Sequence, residues 1–256
     1  MIKSNIFNLT KTDLAKFVSN NQIEAYRKNQ VWNWLYVKGV TRFEDMNNLS
    51  ENFKKLLYNN FFIGLLEVKE FYTSKDGTLK WLFKLKDGRE IETVFIPEGK
   101  RGTICVSSQV GCSLSCSFCH TGTMKLERNL VLEEITGQIM TVKHLLKDWN
   151  KKTEEKIVTN VVFMGMGEPL LNYDNVINSI KILCDIQGLD ISKRKVTLST
   201  SGIVNKIQSF QEDVDVNLAI SLHAAFDNIR DKLVPINRKW PLSILLKELK
   251  DYNSLD

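Results

Sequence analysis

The sequence predicts an α/β fold: strand–helix units forming a parallel sheet or barrel, preceded by a helical N-terminal third and a short antiparallel meander. Three observations predict it. Apolar residues in the first third recur at helical spacing. Residues 67–96 alternate in polarity and are punctuated by two Asp-Gly pairs, a strong hairpin signal. From residue 103 the rhythm becomes strand then helix, with the chemistry-bearing residues at the strand ends, where such folds place their active sites. With 256 residues, 43% hydrophobic and 25% charged, the chain is of ordinary globular composition, which excludes fibrous and disordered classes. The longest apolar runs, such as Val161-Val162-Phe163-Met164, fall far short of the roughly 20 residues a membrane span needs. The N-terminus lacks the apolar stretch of a signal peptide. The expectation is a cytoplasmic chain with no membrane contact, where cysteines serve metal or redox chemistry more than structural bridging.

The elements follow in order. Residues 12–18 open with cap-type residues and place Leu14, Phe17 and Val18 on one helix face. Residues 25–37 form a second helix, with Val31, Trp32, Leu35 and Tyr36 spaced for a core. Ser50 opens a third, running through Leu56 and Leu57. Trp32, Trp34 and Tyr36 at this spacing belong in a core more often than on a nucleobase platform. Strands are expected at 67–72, 79–85 and 89–96, turning at Asp76-Gly77 and Asp87-Gly88 and ending at Pro97-Glu98-Gly99. Then come a strand at 103–109, a Cys-rich loop and a long helix at 132–149. A strand at 157–164 and a helix at 173–185 follow. The last pieces are a strand at 195–200, a helix at 203–210, a strand at 214–221 and a helix at 241–252. Residues 1–66, 67–97 and 98–256 are the expected helical domain, meander extension and catalytic core.

Charge is unevenly placed. Residues 1–90 hold 15 Lys/Arg against 10 Asp/Glu, whereas residues 91–256 hold 20 of each. A basic module ahead of a neutral one fits an acidic partner, nucleic acid first among them. A solvated surface with a small positive bias is the plainer alternative.

Four of the five cysteines, Cys105, Cys112, Cys116 and Cys119, lie within 15 residues, and the last three form C-x3-C-x2-C. Three thiolates in one short loop bring three soft ligands to one metal centre. Structural zinc and ordinary iron–sulfur clusters normally take four protein ligands, so three leave a position open for substrate. Two alternatives stand beside this. Cys116-Ser117-Phe118-Cys119-His120 also spells the C-x-x-C-H of haem attachment, which requires export and leaves Cys112 unused. A zinc knuckle with His120 as fourth ligand would strain the loop, because His120 follows Cys119 directly.

C-x3-C-x2-C with an aromatic before the third cysteine resembles the signature loop of the radical S-adenosylmethionine (SAM) superfamily. The surrounding residues sharpen the likeness. They are Gly111-Cys112, Cys116-Ser117-Phe118-Cys119-His120-Thr121-Gly122, Gly165-Met166-Gly167-Glu168-Pro169-Leu170-Leu171-Asn172, Leu198-Ser199-Thr200-Ser201-Gly202 and Ala219-Ile220-Ser221-Leu222-His223-Ala224. In this order they resemble the bacterial dual-specificity adenine C2-methyltransferases of 23S rRNA and tRNA, from about residue 10 to the end.

The resemblance implies a partial radical-SAM (βα) barrel behind the helical domain and meander. It implies a [4Fe-4S] cluster on Cys112, Cys116 and Cys119, with one open iron that chelates SAM. Gly167 and Glu168 match the family's contact to the SAM amino group, which suits a carboxylate facing an ammonium. Ser199, Ser221, Leu222 and His223 match further SAM contacts. By residue type alone, Ser199 would be a strand-end cap and His223 a core histidine. Glu92 matches a proton acceptor. Between apolar Ile91 and Val94 its carboxyl would have a raised pKa, although alternation also permits an outward-facing residue. Cys105 matches a cysteine that works on the substrate adduct and then forms a transient disulfide. Cys184 reads as core.

Two SAM molecules per turnover are implied: one methylates a C-terminal cysteine, and a 5′-deoxyadenosyl radical from the other activates that methyl for attack on C2. The adenine must be unstacked for access. The implied partners are 23S rRNA, tRNA and an electron donor such as flavodoxin, acting on a monomer. The family chain is longer, and no cysteine follows Cys184, so the expectation is a C-terminally truncated chain that binds a cluster without completing methyl transfer. Two rivals remain: the C8-methylating rRNA relative, and a non-catalytic zinc-binding RNA module.

Overall fold

The computed structural model describes residues 3–149, 152, 155–250 and 252. Its helical module begins and ends on a short parallel pair: β1 (Ser4–Asn5) lies beside β2 (Phe61–Phe62), with Ser4 opposite Phe61. Between them run α1 (Lys11–Asn20), α2 (Arg27–Tyr36) and α3 (Glu51–Asn60). Thr10, two residues earlier than expected, caps α1. Its Oγ1 accepts the Asp13 N–H at 3.1 Å while Asp13 accepts the Thr10 N–H, a reciprocal box that satisfies two orphan donors. Ser50 caps α3 as expected. Val31, Trp32, Leu35 and Tyr36 are all buried, while Trp34 is half-buried and donates to Asn48 Oδ1.

The meander and the βα half form one sheet. Strands β3 (Glu67–Thr73), β4 (Leu79–Lys84), β5 (Glu90–Glu98) and β6 (Arg101–Cys105) are consecutive antiparallel neighbours. The hairpin turns fall at the two Asp-Gly pairs, where Ser74 and Thr78, then Leu85 and Arg89, close the ends. Pro97 and Glu98 do not end the meander. They pair with Gly102 and Arg101, so the sheet runs unbroken across residue 97. A small pair, β7 (Gln109–Val110) with β8 (Arg128–Asn129), brackets the Cys-rich loop and the one-turn α4 (His120–Thr123).

The remaining elements wind the parallel half. They are α5 (Leu132–Leu145), β9 (Asn160–Phe163), α6 (Tyr173–Cys184), β10 (Val196–Thr200), α7 (Ile207–Val214), β11 (Asn217–Ile220), α8 (Asp227–Leu233) and α9 (Leu242–Lys250). The sheet order is β11-β10-β9-β6-β5-β4-β3, with β6, β9, β10 and β11 parallel. Helix α5 stops at Leu145 and does not reach 149: the next turn carries Lys147 in the left-handed region, and Asp148 folds back to pair with buried Lys143. Helix α8 carries no expectation from the sequence, because its apolar residues are too few to show a period.

One sheet face is apolar and buried, through Ile91, Phe95, Ile104, Val161, Phe163, Val196 and Leu198. Gln138 of α5 clamps this side. Its Oε1 accepts from Thr93 Oγ1 at 2.8 Å and Ser107 N at 2.7 Å, and its Nε2 donates to the Ser107 carbonyl. The opposite face, with Glu92, Val94, Cys105, Val162, Thr197 and Ser199, is half-buried or exposed. Among the described residues no helix is long and apolar enough to cross a membrane.

Candidate active site

The strand ends of β9, β10 and β11 and the loop after β7 enclose a cavity of about 330 Å³. Cys112, Cys116 and Cys119 line it, together with Gly167, Glu168, Ser199, Ser201, Ser221 and His223. Residues that the sequence separates by more than a hundred positions thus share one concave site, because parallel strands deliver their C-terminal ends to the same edge.

The cysteine loop is tightly closed. Cys119 N–H donates to the Cys116 carbonyl at 3.1 Å, and Ser117 N–H donates to the Leu233 carbonyl of α8. Gly122 packs so close that a Cβ there would lie 2.6 Å from the Cys116 carbonyl oxygen, so a larger residue would force the loop apart. All three thiols are free, Cys116 being buried and the other two half-buried. Burial raises the pKa of Cys112 and of Cys116, and neighbouring acidic groups push the same way. N–H and O–H donors from Leu114 and Ser201 respectively oppose it. The thiols must therefore lose protons when they bind metal.

Glu168 is the electrostatic centre. It is 2% exposed. Its Oε2 accepts the Ser201 N–H at 2.8 Å and its Oε1 the Leu170 N–H at 3.1 Å. Burial pushes the carboxyl up to about 7, against the donors from Ser201, Thr200 and Leu170, which favour the charged form. The preceding Gly167 has φ +94°, and a Cβ would strike the Gln109 side chain at 2.4 Å. Gln109 Oε1 accepts the Glu168 N–H at 2.8 Å, which fixes the carboxylate's entry into the cavity.

Ser199 and Ser221 face each other across β10 and β11, with their hydroxyl oxygens 3.3 Å apart. His223 is not a core residue. It is exposed, sits in the left-handed region at φ +58° and packs against Phe118 with ring centroids 4.0 Å apart and planes tilted by 41°. Leu222 is exposed and does not line the cavity; its carbonyl accepts from Arg230. Glu92 and Cys105 lie outside the cavity as well, but on the same open sheet face as Ser199. The apolar enclosure expected around Glu92 is not formed. Ile91 points to the other face, and the exposed Glu92 carboxylate accepts from Lys80 Nζ at 2.9 Å. Burial pushes the Cys105 thiol up to about 11. Cys184 is half-buried against the core.

No motif points to Arg230, Asn237 or Gln109. Arg230, fully buried, bonds to the carbonyls of Ser201, Ser221 and Leu222 and to Asn237. A charged residue with no motif of its own looks like a solvated one, so only the fold exposes its role.

The donor set suits a cubane cluster with SAM. Three free thiols surround one cavity, and a buried carboxylate with no cationic side chain bonded to it faces the same space. Among the described residues no three His, Cys, Asp or Glu converge at single-ion spacing. A cubane presents its irons at separate corners, so its thiolates need not converge on one point.

Comparison with known proteins agrees. Residues 4–63 match the ribosomal RNA large subunit methyltransferase N-terminal domain and residues 106–253 the radical SAM superfamily. The dual-specificity RNA methyltransferase RlmN of Dinoroseobacter shibae is 47% identical over 98% of this chain and 66% of its own length. That of Paracoccus denitrificans is 50% identical over 90% and 60% respectively. The chain thus spans about two-thirds or less of these relatives' length. A crystal structure of a radical SAM methyltransferase from Sphaerobacter thermophilus superposes with a TM-score of 0.86 at 34% identity, covering 96% of this chain and 71% of that one. On the motif order, the three-thiol cavity and these matches, the chain belongs to the radical SAM superfamily, on the branch carrying the ribosomal RNA large subunit methyltransferase N-terminal domain.

Proposed function

We propose that this chain is the cluster- and SAM-binding part of an RNA methyltransferase that places a methyl group on C2 of an adenosine in 23S rRNA and of one in tRNA. The observation that carries this is the shared cavity of Cys112, Cys116, Cys119 and Glu168 at the ends of parallel strands. The names of the relatives support the RNA substrates. Residues 1–66 recruit RNA, 67–97 extend the sheet toward it, and 98–256 hold the cofactors.

Cys112, Cys116 and Cys119 hold the [4Fe-4S] cluster, leaving one iron for SAM. When bound, the cluster supplies the electron that cleaves SAM to methionine and a 5′-deoxyadenosyl radical. Glu168 receives the SAM ammonium, which restores its charged form inside the cavity. Gly167 lets the backbone approach, while Ser199, Ser221 and the Leu222-His223 segment orient the nucleoside side. Burial holds Cys105 as a thiol near neutral pH, so it gives up its proton as it works on the substrate adduct and forms its transient disulfide. Glu92 is the proton acceptor there, and on this reading it must leave Lys80 to act. Two SAM per turnover, a flavodoxin-type donor, a transient disulfide at Cys105, a monomeric state and a cytoplasmic location complete the proposal.

The test is anaerobic reconstitution followed by incubation with SAM and dithionite. Methionine and 5′-deoxyadenosine are expected, in a brown protein. A colourless chain with one zinc would overturn the reading in favour of the metal-binding RNA module. Digestion of RNA modified by the whole methyltransferase to which this part belongs identifies the methylated ring carbon, and C8 would favour the rival relative.

A further inference from the structure

The buried guanidinium of Arg230 lies behind the cavity, and neither the motifs nor the proposed chemistry use it. Its Nη2 donates to the carbonyls of Ser201, at 2.8 Å, and Ser221, at 3.2 Å, its Nε to that of Leu222 at 3.0 Å, and its Nη1 to Asn237 Oδ1 at 2.7 Å. Those carbonyls follow β10 and β11, the two strand ends that carry the serines of the cavity. One rigid fork therefore ties the two loops together just beyond the last ladder bond, which runs from the Ser221 N–H to the Thr200 carbonyl at 2.9 Å.

All four acceptors are neutral. The carboxylates of Asp227 and Asp231 lie one step further out, each accepting from Asn237 Nδ2. A cation buried without a directly bonded carboxylate is costly unless another negative charge answers it. Ser201 links the guanidinium to the cavity: its carbonyl accepts from Arg230 and its hydroxyl donates to Cys116, whose thiolate on a cluster would add a negative charge there. Helix α8, which carries Arg230, also receives the cysteine loop through the Ser117 N–H to Leu233 carbonyl bond. Burial lowers the pKa of Arg230, while the carboxylates of Asp227 and Asp231, and Cys116 once deprotonated, work in the opposite direction.

We propose that Arg230 is a positioning residue with two jobs: it ties the strand-end loops of β10 and β11 to α8, and its buried charge is the counter-charge of the cluster held by Cys116 and its partners. The proposal rests on the cluster reading above. Reduction adds negative charge to a cluster, so a fixed cation nearby in a low-dielectric interior stabilises the reduced form and raises the midpoint potential.

The experiment compares the reconstituted parent chain with Arg230→Lys, Arg230→Gln and Asp231→Asn. Iron content, EPR-monitored redox titration, SAM binding by equilibrium dialysis and thermal melting are read for each. Arg230→Gln is expected to lower the midpoint and weaken SAM binding about tenfold. Arg230→Lys keeps the midpoint near the parent's but still weakens SAM binding, because one ammonium cannot span three carbonyls. Asp231→Asn keeps the acceptor for Asn237 while removing a negative charge, so its midpoint rises. A purely structural Arg230 would move affinity and melting without ordering the potentials by charge. Midpoints of Arg230→Gln and Asp231→Asn that coincide with the parent's overturn the proposal. If melting shows Arg230→Gln unfolded, Asp231→Asn alone decides. A parent chain that takes up no iron overturns the cluster reading itself, and the inference with it.

Discussion

In the antiparallel half of the sheet, β3 to β5, charged side chains meet one another in water: Lys69 pairs with Glu90, and Lys80 with Glu92. In the parallel half, β9 to β11, the decisive charges are Glu168 and Arg230, both within 2% of full burial, and both are held by backbone and neutral partners. Exposed pairs add little to stability, because water screens them and ordering two long side chains costs entropy. Buried charges without opposite partners cost stability. The same sheet thus tolerates loss of charge at one end and is poised for a ligand at the other, and each change below breaks or sharpens that contrast.

The largest effect is expected at the cysteines. Cys112→Ala, Cys116→Ala and Cys119→Ala should each abolish the brown colour and cluster iron after reconstitution, whereas Cys184→Ala should retain both. Next come matched core truncations. Phe83→Ala in the antiparallel half and Phe163→Ala in the parallel half should each cost ~3–5 kcal/mol in urea unfolding, since both rings are buried. A large inequality would show that one half tolerates cavities better than the other.

Glu168 supplies the pH dependence. Its carboxyl sits at about 7 in the fold against an ordinary 4.5, so the folded chain keeps that proton to higher pH than the unfolded one. The stabilisation is complete below the ordinary value and is lost as pH rises through the folded one, by up to ~3 kcal/mol. Metal-free protein should therefore lose melting temperature between pH 5 and 8, and Glu168→Ala should flatten that slope. An unchanged slope would deny Glu168 its role as the strained charge of the parallel half.

Gln138→Ala should cost ~2 kcal/mol, because it strands the Ser107 backbone and Thr93 at the seam between the halves. The smallest effect belongs to Lys80→Ala, under ~1 kcal/mol by the same unfolding assay. If Lys80→Ala proved as damaging as Gln138→Ala, the exposed face of the meander would have to be treated as structural.

How much could be read beforehand also differed between the halves. The meander was legible because alternation and Asp-Gly turns are local signals. The cavity was legible only where residues carry motifs, as with Cys112, Cys116, Cys119, Gly167 and Glu168. That β5 and β6 join the two halves was hidden, since Pro97 and Gly99 look like an end, yet Pro97 pairs with Gly102 on an intact strand. Of the two surroundings the sequence allows Glu92, the outward-facing one holds: Ile91 lies on the opposite face of the same strand, a consequence of the two-residue pleat. Arg230 and Gln109 carry no local signal because they bond to backbone groups, the Ser201 carbonyl and the Glu168 N–H, that only the fold brings near, and Asn237 carries none because its partners are the side chains of Arg230, Asp227 and Asp231 gathered by the turn around α8.

The short parallel pair that joins Ser4-Asn5 to Phe61-Phe62 has a consequence for inheritance. A segment whose entrance and exit lie side by side can be gained, lost or exchanged between proteins without stretching the polypeptide it leaves behind. The match to the methyltransferase N-terminal domain covers residues 4–63, ending one residue beyond that stitch. The helical module accordingly enters and leaves at one place, and what such an exchange has to rebuild is its contact with the rest of the chain, where Lys11 pairs with Asp185.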